Sequence, residues 1–188
     1  MEEKNKIYIM IFSGLAIAIN IVLGTVVKML SIPLLFLDTV GTIFTAVVFG
    51  PIYGAIVGGL TNVVQGVISG PKIIPFAFVN IAVGLVVGYI AMKGNFNYKK
   101  AVITGLILSV VAPLIGTPIS VYVYGGITGD FNDVFFTLLV QSGQKIFASA
   151  FIPRVASNIV DKIVSCSIVV FLVERLPKRY VQGAKING

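Results

Sequence analysis

Asp38, Asn62, Asn80, Asn158 and Asp161 stand in stretches that are otherwise almost wholly apolar. Carboxylates and carboxamides set among hydrocarbon side chains can do two things. They can hydrogen-bond across helices, at ~1 kcal/mol each, or they can read the polar edge of a small molecule. Charges are the costlier case, because an isolated charge at membrane depth costs at least ~2.5–3.5 kcal/mol. Asp38, Asp161 and the neighbouring Lys162 are therefore expected to pair with one another or with Arg154. Whether such a pair faces a ligand or only locks a helix is left open by the residue types. Other chemistries are poorly supplied. There is one cysteine, Cys166, and no histidine, so neither an internal disulfide nor the common zinc patterns can form. No Gly-x-x-x-x-Gly-Lys-Ser/Thr motif is present, and no cofactor is expected.

The elements that must position these groups follow from composition. Of 188 residues, 57% are hydrophobic and 11% charged, and the mean hydropathy is +1.02. A soluble domain carries about a quarter charged residues, whereas a bilayer crossing needs roughly 20 apolar ones. The composition predicts an all-α integral membrane protein, with residues 1–188 forming a single transmembrane domain. The first apolar run reads as a retained helix, since no small-residue cleavage site follows it. Crossings are expected at about 7–27, 33–49, 51–68, 74–92, 101–120 and 155–173. Gly50-Pro51 reads as a tight turn, with glycine ending one helix and proline opening the next. Residues 134–152 carry Thr137, Gln141, Gln144 and Lys145 at helical spacing, one polar stripe on an apolar helix. Nine of the fourteen lysines and arginines lie in the termini and the 93–100 connection. These share the cytoplasmic side only if the number of crossings is even. Six transmembrane helices are therefore expected, with 134–152 as an additional interfacial or re-entrant helix before the last one and both termini cytoplasmic. The net charge of +7 is a topology signal, not a nucleic-acid one.

In this arrangement the polar groups sort by depth. Asn20, Asp38, Asn62, Gln65, Asn80, Thr117, Asn158, Asp161 and Lys162 fall in the outer halves, and the inner halves hold small and aliphatic residues with a few hydroxyls, such as Ser165 and Ser167. That asymmetry predicts a pocket open to the outside, because a water-filled channel would be polar through its depth. Phe36, Phe76, Phe78, Phe131 and Phe135 flank the same region. They read either as an interfacial belt or as a stacking surface for a flat ring. Tyr122 and Tyr124, alternate residues before Gly125-Gly126, are expected in a lid loop. On the first helix, Gly14-x-x-x-Ala18 is a small-x-x-x-small pattern, which admits close approach of another helix of this chain or of a partner.

Taken together, these residues resemble the substrate-binding S component of an energy-coupling factor (ECF) transporter. The resemblance runs over nearly the whole chain. It rests on the six crossings, the basic inner ends, and the run from Leu37 through Gly50-Pro51 to Gly59. The stretches 75–84 and 158–162 add to it. It implies a binder of a vitamin or related micronutrient that works with a membrane coupling protein and two cytoplasmic ATPases. Members dock through an Ala-x-x-x-Ala pattern in the first helix, and the matching spacing here is Gly14 and Ala18. Thiamine-binding members stack their ligand on tryptophan, which this chain lacks, so the resemblance points away from thiamine. The candidate solute-binding residues are Asp38, Asn62, Asn80, Tyr122, Tyr124, Asn158 and Asp161. Two competing readings stand beside this one. A self-sufficient secondary transporter would be expected to show internal repeats and broken helices. A small membrane enzyme would have to draw its base from Asp38 or Asp161.

Overall fold

The computed structural model describes residues 2–176. The basic tail residues Lys178 and Arg179, which entered the expected topology, lie outside the described residues. Within them every regular element is helical. Helix α1 spans Glu2–Met29, α2 Val40–Phe49 and α3 Pro51–Ser69. A 3-10 turn, Pro71–Phe76, leads into α4, Ala77–Met92. Helices α5, Tyr98–Tyr124, α6, Asn132–Gln141, and α7, Ile146–Glu174, complete the chain.

Five segments are long and apolar enough to cross a membrane: Lys6–Met29, Pro51–Ser69, Pro71–Met92, Tyr98–Tyr124 and Ile146–Glu174. The sixth expected crossing, 33–49, is corrected to the ten-residue α2, which rises only ~15 Å, half of a hydrocarbon core. The reason lies in the backbone before it. Ser31, Leu34 and Leu37 adopt left-handed φ values of 50°, 63° and 51°, which no α-helix contains, and Pro33 among them cannot donate a backbone hydrogen bond. Irregular backbone at membrane depth is tolerated where it packs on protein or lines a cavity, and residues 31–38 do both.

The expected 134–152 helix is also corrected. Gly143 turns with φ 87°, so Gln144 and Lys145 leave the stripe that Thr137 and Gln141 begin. Residues from Ile146 onward belong instead to the 29-residue α7. The ten residues of α6 are too short to cross. Gly50, with φ 96°, and Pro51 at the first turn of α3 form the expected tight turn.

Helices α3 and α4 meet on facing glycines. A Cβ on Gly84 would lie 2.4 Å from the backbone of Gly54, one on Gly88 2.3 Å from Pro51, and one on Gly58 2.5 Å from the Asn80 carbonyl oxygen. Gly54-x-x-x-Gly58 and Gly84-x-x-x-Gly88 are thus two small-residue stripes that bring the backbones together. Gly41 does the same for α2 on α1, where a Cβ would lie 2.1 Å from the Ala16 carbonyl oxygen.

The apolar core fills one end of the bundle. Val47, Val48, Val87, Ala91, Phe96, Ala101, Leu108, Val169, Val170 and Val173 are buried there. It joins the C-terminal ends of α2, α4 and α7 to the start of α5. The opposite end holds nearly all the buried polar groups, so the depth sorting expected from the sequence is present in the fold.

Candidate functional site

At the polar end, three hydrogen-bonded clusters surround a cavity. The first ties α1 through α4. Asn20 Nδ2 donates to the hydroxyls of Thr42 (2.9 Å) and Thr61 (3.0 Å), and its Oδ1 accepts from the Gly41 amide at 2.7 Å. The Thr42 hydroxyl donates to Asn80 Oδ1 at 2.9 Å, and Asn80 Nδ2 donates to Asn62 Oδ1 at 3.0 Å. All these residues are buried. Asn62 and Asn80 border the cavity, but both ends of the Asn80 carboxamide are already engaged by protein. Asn80→Ala would strand the Thr42 hydroxyl and the Asn62 oxygen. It is expected to lower stability by about 1–3 kcal/mol, measured as a shift of the unfolding midpoint in detergent, beyond any effect on solute affinity.

The second cluster is centred on α7. Asp161 is fully buried. Its Oδ1 accepts from the backbone amides of Phe36 (2.8 Å) and Leu37 (2.9 Å), and its Oδ2 receives Lys162 Nζ at 2.7 Å. Lys162 Nζ also donates to the Thr39 hydroxyl at 3.0 Å and lies 3.7 Å from Asp38 Oδ1. The expected pairing of Asp38, Asp161 and Lys162 is therefore present, without Arg154. Asp161 faces the strained 31–38 segment and satisfies its amides. Asp38 differs. Its side chain is 44% exposed, it borders the cavity, and its Oδ1 accepts no hydrogen bond from the described residues.

The third cluster fastens the loop after α5. Arg154 Nη2 donates to Ser120 Oγ (2.7 Å), the Gly126 carbonyl (3.2 Å) and Thr128 Oγ1 (3.1 Å), and Nη1 to the Ala150 carbonyl (2.9 Å). The loop is tied internally. Asp133 accepts from the amides of Thr128, Gly129 and Asp130, and Asp130 accepts from the Thr128 hydroxyl and the Asn132 amide. Ser157 donates to Asn132 Oδ1, pinning the start of α6 to α7.

These clusters enclose a chamber of about 230 Å³, walled by Phe36, Phe76 and Tyr124 with Asn62, Gln65 and Asn158 between them. Lys28, Phe36, Asp38, Gln65 and Thr128 also border an adjoining chamber of about 380 Å³. Phe76 packs on Tyr124 with ring centroids 6.2 Å apart, and Lys72 Nζ lies 5.7 Å from the Tyr124 ring centre.

Of the predicted residues, Asp38, Asn62, Asn80, Tyr124 and Asn158 come together on the chamber, and Asp161 stands behind its wall. Tyr122 does not join them. It is 93% exposed, because α5 continues to Tyr124. Residues two apart on a helix point to nearly opposite sides, whereas a loop could have presented both. Arg154 was not among the predicted site residues. The signal for it was available, since Arg154, Asn158 and Lys162 recur at i, i+4 and i+8 and line one face of α7.

At the apolar end, Gly14 and Ala18 lie on the open face of α1, and nothing comes within 4 Å of a Cβ built on Gly14. Ala16 and Asn20 point into the bundle. This small-residue stripe therefore does not pack against another helix among the described residues.

A family model described as the substrate-specific component of ECF transporters matches residues 9–173. The chain belongs to this family. No curated protein and no solved structure matches it. As an S component the chain is a multi-pass membrane subunit of a transporter, selective for a small-molecule substrate. The match covers α1 from Ile9 onward and all but the last residue of α7, so each cluster described above lies inside it.

Proposed function

We propose that this S component captures a vitamin or related heterocyclic micronutrient from outside the cell. It then passes the solute inward with a membrane coupling protein and two cytoplasmic ATPases. In this reading residues 31–38 and α2 together make the sixth passage through the bilayer, so both termini are cytoplasmic; the chamber opens outward, and the chain has no catalytic chemistry of its own. Asp38, Asn62, Asn80, Tyr124 and Asn158 contact the solute, joined by Phe36 and Phe76. Asp161 holds the wall behind them.

The observation that carries this reading is the one-sided cavity. Aromatic faces and carboxamides line it at one end of the bundle, and packed valine, leucine and alanine close the other. An apolar pocket with a few convergent polar groups suits a flat, partly polar molecule. A closed far end suits a binder that releases its cargo only when a partner acts on it.

The partner reading rests on the open Gly14/Ala18 stripe, where another helix can approach closely. Gly14→Leu should leave fold and solute retention unchanged, since no described residue of another element comes within 4 Å of a Cβ at that position. The variant should recover at least tenfold less of the coupling protein, an estimate for a blocked close-approach groove. The test is co-purification from native membranes on tagged wild-type and Gly14→Leu chains, with the partners identified by mass. Two ATPases and a coupling protein on wild type, lost on the variant, are expected. Wild type recovered without any ATPase would refute the assignment of partners.

A further inference from the structure

The two ends of the chamber carry opposite, incompletely satisfied charges. At the end nearest the α5–α6 loop sits Arg154, which is buried. Its acceptors are two carbonyls and two hydroxyls, all neutral, and the ion pairs among the described residues are confined to Lys162. Asp130 and Asp133 of the loop attract Arg154 through space but make no ion pair with it. Asp130 and Asp133 are occupied by backbone amides and the Thr128 hydroxyl. A desolvated guanidinium normally has an anionic partner, and it suits a carboxylate in particular.

Two turns deeper along α7, about 12 Å away by helical rise, is the floor. There Lys162 is shared between Asp161 at 2.7 Å and Asp38 at 3.7 Å. One cation faces two acids, and the more loosely held acid, Asp38, leaves Oδ1 without a donor. That oxygen is shielded within the floor, but the Asp38 side chain as a whole is 44% exposed, so its other oxygen can take an N–H or O–H from the chamber.

Resting on the proposed solute-binding function, we infer that the solute is dipolar: it carries an acid group that pairs with Arg154 and an N–H edge that donates to Asp38. The aromatic residues Phe36, Phe76 and Tyr124 border the space between these two ends. A ring bearing N–H groups at one end and a short carboxylate arm at the other satisfies both charges without moving the helices. A neutral solute would leave Arg154 without a directly bonded anion.

The test is native mass spectrometry of the purified wild-type chain after incubation with the pool of small molecules extracted from the producing cells. A retained molecule with both an acid and an N–H group is expected. Its methyl ester should bind at least tenfold more weakly to wild type, the scale of a lost charge-assisted hydrogen bond. Against Arg154→Gln, acid and ester should bind alike within about twofold, a coupling that a purely loop-holding arginine would not produce. A retained molecule lacking either the acid or the N–H, or an ester penalty that persists in Arg154→Gln, overturns the inference and leaves the binding function standing. Retention of no small molecule at all overturns the binding function, and the inference with it.

Discussion

Asp161→Ala is expected to be the most damaging polar substitution in the chain, lowering stability by about 3–5 kcal/mol, the range for breaking a buried ion pair. The carboxylate is fully buried and serves three donors: the Phe36 and Leu37 amides and Lys162. Removing it strands two backbone amides in the one segment where Leu34 and Leu37 are held at left-handed φ. It also leaves Lys162 with the Thr39 hydroxyl and the more distant carboxylate of Asp38. Asp161→Asn should be milder, because its oxygen can still accept from both amides, which share Oδ1 in the wild type. Unfolding of detergent-solubilised protein, followed by denaturant titration, measures both. Wild-type stability in Asp161→Ala would mean that the 31–38 segment is held by other contacts.

Gly84→Val is expected to destabilise the fold by at least about 3 kcal/mol, at or above the upper range for overpacking. The new Cβ would lie 2.4–2.6 Å from backbone atoms of Gly54 and Ala55. Backbone cannot step aside as a flexible side chain can, so α3 and α4 must separate. Separation would also pull Asn80 from Asn62 and open the chamber wall. Gly14→Val, the same change on the open face of α1, should be neutral to stability within about 0.5 kcal/mol. The pair is read from the yield of folded protein and its unfolding midpoint. Equal behaviour of the two variants would contradict the close α3–α4 packing.

Much of this arrangement was legible in the sequence, because it follows from local chemistry. Gly50-Pro51 encodes its own turn, and Asp38 and Asn62, placed at equal distance from it, do border one chamber. The polar-end and apolar-end division follows from where the asparagines and the valines stand along the chain. What was missed depends on partners distant in sequence. Nothing near Leu37 signals left-handed backbone; its amide and that of Phe36 are held by Asp161, more than 120 residues away. Tyr122 was misplaced because a glycine pair ahead of it suggested a loop, whereas α5 keeps its helical period up to Gly125 despite Pro113 and Pro118. The residue types offered Arg154 as one alternative partner for Asp38 and Asp161. It instead fastens the Gly126–Thr128 loop, and no local pattern in that loop reveals its acceptors.

The central claim is that the solute occupies the chamber at the polar end, against α7. Asn158 and Ser165 test it most directly, since both are on α7, buried and seven residues apart. Asn158 borders the chamber and makes only one local bond, to the Arg154 carbonyl at 2.8 Å. Ser165 lies two turns toward the apolar end, outside the chamber, and its hydroxyl has no partner among the described residues to lose. The measurement is equilibrium binding of the solute retained by the wild-type chain. Asn158→Ala should weaken it roughly five- to 150-fold, the equivalent of about 1–3 kcal/mol, and Ser165→Ala should change it by less than about twofold. Weakened binding in Ser165→Ala with unchanged affinity in Asn158→Ala would contradict the account and move the solute to the other end of the bundle.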